Sequence, residues 1–257
     1  MTSDHPSPFS LRDQSILVTG ANTGIGQGIA RAVARAGAHV VGVGRSAMDE
    51  TAALIEADGG GFTALRCDLA DLDAARATLK RAWDERGGLD GLVNNAGLIR
   101  RQDAVDFAEA DWDAVMDVNL KTLFFLSQGF ARLVLERPRP RGKIVNIASL
   151  LSFQGGIRVP SYAASKHGVA GVTQALANEW AAHGINVNAV APGYIVSNNT
   201  AALRADRDRS ASILARIPAG RWGEPADIGG ATVFLLSHAA DYVHGIVLPV
   251  DGGWLAR

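Results

Sequence analysis

Ser15-Ile-Leu-Val-Thr-Gly-Ala-Asn-Thr-Gly-Ile-Gly26, running on into Gln27-Gly-Ile-Ala-Arg-Ala-Val-Ala-Arg-Ala36, is the stretch that decides the fold. Its first five residues are an apolar, strand-like run; glycines then break the chain, and a helical pattern starts within one turn. Gly20 can take the tight turn, Gly24 lets backbone approach a ligand, and Gly26 allows close packing of the helix. The helix amino end presents unpaired N–H groups and its positive dipole to whatever lies above the loop, which suits a pyrophosphate. Glycine turns after strands are common, so position carries the argument. This one opens the first strand–helix unit of the chain, which makes Gly20, Asn22, Thr23, Gly24, Ile25 and Gly26 candidate contacts for a dinucleotide.

Outward from that unit, strand-like runs recur with helical segments between them. They are Ser15 to Thr19, His39 to Val43, Phe62 to Arg66, Gly91 to Asn94, Lys143 to Ala148, Ile185 to Val190 and Gly245 to Val250. Short, nearly continuous Val, Ile, Leu and Ala runs suit strands covered on both faces, and helices between consecutive strands impose parallel pairing with right-handed crossovers. The pattern predicts an α/β chain: a single-domain, doubly wound Rossmann fold whose seven-stranded parallel sheet has helices on both faces. Residues 1–10 read as a flexible tail and 11–257 as the domain. A long helix is expected from about Trp112 to Glu136, stopped by the loop Arg137-Pro-Arg-Pro-Arg141. The mixed polar and helical stretch from Ile195 to Arg216 is the candidate lid.

Composition narrows the partners. The chain has 257 residues and a formal net charge of -1, without blocks of like charge, so it offers no electrostatic footprint for nucleic acid or an anionic membrane. No apolar run is long enough to span a bilayer, and the first residues lack the basic head and apolar stretch of a signal peptide, so a cytoplasmic location is expected. The single cysteine, Cys67, has no partner for an internal disulfide and reads as a small buried hydrophobe. Small-molecule partners are expected, and no metal.

Chemistry concentrates around Pro160-Ser-Tyr-Ala-Ala-Ser-Lys-His-Gly168. Tyr162 and Lys166 stand at i and i+4, which share one face of a helix. A free phenol has a pKa of about 10 and needs a neighbouring cation to exchange protons near neutrality; Lys166 can be that cation. Ser149, at the end of a strand-like run, would direct its hydroxyl at the oxygen Tyr162 protonates. The trio reads as an apparatus for moving a proton on or off a carbonyl or alcohol oxygen. At the end of the second strand stands Val43-Gly-Arg-Ser46, with no acid to bind a ribose 2′-hydroxyl. Arg45 is well placed for a 2′-phosphate, yet it could equally stack on adenine, so NAD and NADP both remain open. Asp68 could accept from the adenine amino group or cap the following helix.

With the glycine loop Thr19 to Gly26, Asn94-Asn-Ala-Gly97, Asn119, Ser149, Tyr162, Lys166 and Pro192-Gly193 in order, the chain resembles the short-chain dehydrogenase/reductase family from about Leu11 to its end. That resemblance implies Tyr162 as general acid/base, Lys166 as the group that tunes it and holds the nicotinamide ribose, and Ser149 as the group that polarises the substrate oxygen. It implies Asn119 as the anchor of a water in the proton path. Asn95, Ala96 and Gly97 become a cofactor wall, Asp68 and Leu69 the adenine end, and Pro192, Gly193 and Ile195 a cover for the nicotinamide. A narrower likeness appears in Leu98-Ile-Arg-Arg101, Leu151 to Tyr162, Ala177-Asn-Glu-Trp180, Ser197-Asn-Asn-Thr200, Ile217 to Gly223 and Val250 to Arg257. These are similar to the dehydrogenases of 2-deoxy-D-gluconate (at carbon 3) and 2-dehydro-3-deoxy-D-gluconate (at carbon 5), implying NAD as cofactor, a deoxy sugar acid as substrate and a homotetramer as assembly. A sugar-acid carboxylate needs a cation or a bidentate donor. Arg158 is the first choice, with Arg100 and Arg204 behind it, while Gln154, Asn198 and Asn199 could bind hydroxyls. The rival readings are a reductase of 3-oxoacyl or steroid ketones and a non-catalytic dinucleotide sensor.

Overall fold

A computed structural model describes residues 7–257. Its sheet has seven strands, all paired parallel, in the order β3-β2-β1-β4-β5-β6-β7. The strands are β1 (Ser15–Thr19), β2 (His39–Gly44), β3 (Gly61–Arg66), β4 (Gly91–Asn94), β5 (Gly142–Ile147), β6 (Ile185–Pro192) and β7 (Val247–Val250). Alternation along β1 sends Ile16 and Val18 to one face of the sheet and Leu17 to the other. The first pair joins Ile29 and Val33 of α1 (Gly24–Arg35) and Ile228 and Leu235 of α9 (Pro225–Leu236). Leu17 joins the opposite layer, with Leu79 of α3 (Leu72–Arg86), Phe130 of α5 (Leu123–Leu135) and Leu176 of α6 (Pro160–Trp180). Each such fully buried side chain contributes roughly 1.5–3 kcal/mol by leaving water, so two stacked cores hold one sheet rigid beneath the loops.

The chain leaves β3 at one edge and returns to place β4 beside β1. Loops on either side of that reversal diverge, which opens a crevice beyond the carboxyl ends of the strands. A buried polar ladder aligns α6 with the floor of the crevice: Asn94 Nδ2 donates to Asn146 Oδ1 at 2.9 Å, and Asn146 Nδ2 donates to Thr173 Oγ1 at 3.0 Å.

Two local expectations change. The helix foreseen from Trp112 to Glu136 is two helices, α4 (Glu109–Met116) and α5, joined by a widened π turn over Asp117–Thr122. Such an insertion leaves hydrophobic spacing on either side intact, so periodicity does not reveal it. Of the tail foreseen as flexible, residues 1–6 lie outside the described residues. Residues 7–10 are docked: Pro8 O accepts from Ala239 N at 3.0 Å, and the Phe9 and Phe234 rings stand 6.3 Å apart. In β6, Asn186 and Asn188 are buried and donate to carbonyls of the loop that leads to β7. No helix among the described residues is long and apolar enough to cross a membrane.

The candidate lid carries a short 3-10 turn at Asn198–Thr200, then α7 (Ala201–Ala205) and α8 (Arg207–Leu214). The C-terminal tail packs against it. Trp254 is buried with Leu150, Ile213 and Ile217, the Arg216 guanidinium lies 4.1 Å from the Trp254 ring centre, and Arg257 donates to Ala215 O at 3.1 Å.

Candidate active site

A cavity of about 470 Å³ fills the crevice. Its phosphate end is the glycine loop, where Gly20, Asn22, Thr23, Gly24, Ile25 and Gly26 all line the wall. Two of these must be glycine for steric reasons. Gly20 has φ +67°, and a Cβ on Gly26 would land on the Gly20 carbonyl oxygen. α1 begins here with no acidic residue in its first turn and no side-chain cap, so its positive end faces the cavity uncompensated. A residue outside the expected set organises the loop. The Thr19 hydroxyl accepts from the N–H groups of Asn95 and Ala96, each at 3.0 Å, and donates to Val93 O at 3.3 Å. Asn95 Nδ2 then donates to Thr19 O at 2.9 Å, tying the β4 loop to the glycine loop.

The adenosine end is lined by Arg45, Ser46, Asp68 and Leu69. Asn22 Nδ2 donates to Ser46 Oγ at 2.8 Å, bridging the two loops, and Arg66 donates to Arg45 O at 3.4 Å. Asp68 accepts from Ala70 N at 3.1 Å in a local turn and lines the cavity; the N-cap of α3 is Asp71, not Asp68, so the capping role considered for Asp68 is not realised. Cys67 is 7% exposed and borders the same end.

At the other end the cavity meets Ser149, Tyr162 and Lys166, under a wall of Asn95, Ala96 and Gly97 and a cover of Pro192, Gly193 and Ile195. Ser149 caps the 3-10 turn Leu150–Ser152, accepting from Leu151 N at 3.2 Å. Lys166, 4% exposed, donates from Nζ to Ile147 O at 2.6 Å and lies 5.6 Å from the Tyr162 ring centre. Burial lowers its pKa to about 8. Burial also pushes the Tyr162 phenol up, opposed by a hydrogen bond from Ser149 and by the charge of Arg101. The Lys166 ammonium is anchored on a backbone carbonyl while staying near the Tyr162 ring, and Ser149 and Arg101 also favour the phenolate.

Asn119 sits in the π turn, 1% exposed, with its side chain fully engaged. Its Oδ1 accepts from Leu98 N at 2.8 Å, while Nδ2 donates to Leu98 O at 2.9 Å and to Ser165 Oγ at 3.2 Å.

Of the residues expected at the substrate end, Asn198 and Asn199 line the cavity and the arginines do not. Arg158 has φ +64° and turns its exposed side chain to Asp103 at 2.9 Å. Arg100 pairs with Asp111 at 2.9 Å, and Arg204 points at Ser197 O at 3.4 Å. Gln154 accepts from the Trp254 indole at 3.4 Å, which makes it a strut for the tail. Arg101, exposed and outside the cavity lining, donates to the carbonyl of the lining residue Asn199 at 3.0 Å, and its charge is felt at the Tyr162 phenol. Two adjacent arginines in Leu98-Ile-Arg-Arg101 are equivalent by composition; the loop's exit direction separates them.

The family model described as Enoyl-(Acyl carrier protein) reductase, a short-chain dehydrogenase model, matches residues 20–255. The 2-dehydro-3-deoxy-D-gluconate 5-dehydrogenase of Escherichia coli is 57% identical over 251 residues, covering 98% of this chain and 99% of that protein. The protein of the same name from Bacillus subtilis is 54% identical over 250 residues, covering 97% of each. A candidate 2-deoxy-D-gluconate 3-dehydrogenase from Agrobacterium tumefaciens, solved with bound NADP, superposes with a TM-score of 0.93 at 64% identity, over 98% of this chain and all of that one. Sheet order, the glycine cradle and near full-length identity agree that the chain belongs to the short-chain dehydrogenase/reductase family.

Proposed function

We propose that the chain transfers a hydride between a nicotinamide dinucleotide and a secondary carbinol or ketone of a deoxy sugar acid, of the 2-dehydro-3-deoxy-D-gluconate or 2-deoxy-D-gluconate type. The observation that carries this reading is the convergence of Ser149, Tyr162, Lys166 and the Arg101 charge at one end of a cavity whose other end is a phosphate cradle. Relatives named as dehydrogenases of such acids support the substrate class.

The cofactor fits the residues present. The space above Gly26 admits no side chain, and the open amino end of α1 offers N–H groups to a pyrophosphate. The nicotinamide, when bound, accepts or supplies the hydride. For oxidation, the Tyr162 phenolate takes the hydroxyl proton while the Ser149 hydroxyl bonds the same oxygen and holds the carbinol in line. For reduction, Tyr162 returns the proton. The Asn119 side chain is spent on Leu98 and Ser165, so any water it anchors in the proton path sits on its main-chain carbonyl within the π turn. Arg101, from the mouth of the cavity, receives the substrate carboxylate, and Asn198 and Asn199 meet hydroxyls. Both nicotinamide carriers fit the adenosine end. Arg45 and Ser46, with no carboxylate between them, tilt it toward NADP, the ligand bound by the Agrobacterium relative. Exposed Trp112, Leu135, Tyr242 and Ile246 support burial against further copies in a homotetramer.

The test is a nicotinamide-absorbance assay with both carriers against 2-dehydro-3-deoxy-gluconate, its 5-keto relative, 2-deoxy-gluconate, a 3-oxoacyl thioester and a steroid ketone. Turnover confined to the sugar acids supports the reading. Preference for the thioester or steroid replaces the substrate class, and cofactor binding without turnover replaces the enzyme by a sensor.

A further inference from the structure

The catalytic groups come from three pieces of chain with no covalent reason to stay in register. Ser149 precedes a 3-10 turn, Tyr162 and Lys166 ride on α6, and Asn119 sits in the π turn. Beyond Ser152 the chain is loosely held: Phe153, Gly155, Gly156, Ile157 and Arg158 are all exposed, and nothing crowds Gly155. The Ser149 hydroxyl therefore needs a fixed point close behind it.

Two buried serines outside the catalytic set supply such points. Ser152, three residues after Ser149 and 8% exposed, donates from Oγ to Lys166 O at 2.6 Å. A carbonyl has two lone pairs, so Lys166 O can accept this bond while keeping its place in the helix. The short turn carrying Ser149 is thereby bolted to the helix carrying its two partners. Ser165, fully buried, donates to Tyr162 O at 2.8 Å and accepts from Asn119 Nδ2 at 3.2 Å, which bolts the π turn to the same helix. Neither hydroxyl reaches the cavity. Ser152→Ala strands no buried group, because Lys166 O keeps its helical partner, so its loss of stability is small and loss of alignment is what remains to be seen. Ser165→Ala leaves one of the two Asn119 Nδ2 hydrogens without its acceptor while the other keeps Leu98 O, so some loss of stability accompanies it and the melting temperature is read beside kcat.

We propose that Ser152 and Ser165 are positioning residues that hold Ser149 and Asn119 in register with the Tyr162–Lys166 helix. The proposal rests on the dehydrogenase reading of the site. Its test uses Ser152→Ala, Ser165→Ala and the double variant of the full chain, with kcat, KM, cofactor affinity and melting temperature measured on the best substrate of the panel. Each single variant should lose about tenfold in kcat, with KM and cofactor affinity changed less than about twofold, as expected for misplacement of reacting groups. The two losses should multiply, because the bolts act on different pieces of chain. Ser152→Ala should also move the ascending, acid-side limb of the oxidation profile to higher pH, since Ser149 no longer supports the phenolate. Unchanged kcat and pH profile in both variants overturn the proposal. So does a fall in kcat that only tracks cofactor affinity and melting temperature. Ultraviolet titration of tyrosinate, read as the difference from Tyr162→Phe, follows the phenol without any substrate. A rise in the Tyr162 pKa in Ser152→Ala thus supports the Ser152 bolt even if no sugar acid is turned over, in which case the functional reading fails alone; an unshifted pKa removes it.

Discussion

The two ends of the cavity are built by different means. The end expected to take the dinucleotide is mostly backbone: a glycine turn, a helix terminus, and a Thr19 hydroxyl at the end of β1 that collects main-chain groups from the end of β4. The substrate end is mostly side chains borne on the loops around 98–107, 150–159 and 195–216, and several of those side chains bind each other. Arg158 and Arg100 are drawn off by Asp103 and Asp111, while Arg101 bonds the carbonyl of Asn199 at the cavity wall. Backbone geometry follows from a few adjacent residues, whereas the direction of a long side chain on a loop depends on competitors many residues away.

Substitutions at the two ends should fail in different ways. The largest effect is expected from Tyr162→Phe, which should cost 10²- to 10⁴-fold in kcat, the usual worth of a general acid, with cofactor affinity retained. Retention of more than about a tenth of the rate would remove Tyr162 from that role. Gly26→Ala should do the opposite. The added Cβ meets the Gly20 carbonyl and the Asn95 amide, so cofactor titration should show binding weakened by at least about tenfold, with a lower melting temperature. Near-normal cofactor binding would show that the cradle is less tight than its geometry.

Within the substrate end, Arg101→Gln should raise KM for sugar acids by about ten- to a hundredfold, as for loss of a charged hydrogen bond of about 1.5–3 kcal/mol, and leave neutral analogues nearly unaffected. Arg158→Gln should change KM less than about twofold, because its partner is an exposed carboxylate. Arg101 also lowers the Tyr162 pKa, so its removal raises that pKa and moves the ascending, acid-side limb of oxidation to higher pH; a reversed ranking of the two arginines would invert the assignment.

The smallest effect is on stability. Lys166 titrates near 8 in the fold and near 10.5 in the unfolded chain, so the folded state carries the full cost of the charge below about pH 8 and sheds it as pH rises toward 10.5. Lys166→Met should therefore melt higher than the parent at pH 7, by up to about 3 kcal/mol on the scale of 1.36 kcal/mol per pH unit. The gain should shrink toward pH 10. A constant difference across that range would mean the ammonium is better solvated than its burial indicates.

Sequence periodicity located all seven strands, with ends displaced by only a residue or two, because strands buried on both faces are apolar throughout and glycines punctuate them. The spacing of Tyr162 and Lys166 likewise placed both on one face of α6, since the helical repeat alone sets that geometry. The π turn at Asp117–Thr122, the bond of Arg101 to Asn199 O, the diversion of Arg158 and Gln154, and the turning of the Lys166 ammonium to Ile147 O had no local signal. The doubly wound sheet, the glycine turn at the start of α1 and the shared face of Tyr162 and Lys166 follow from the amino-acid order, because each depends on contacts a few residues long or on a repeat. Only the tertiary fold decided where the Lys166 ammonium is anchored, which arginine lies near the phenol, and which partners hold Ser149 and Asn119. Those outcomes are competitions among side chains and carbonyls brought together from distant parts of the chain.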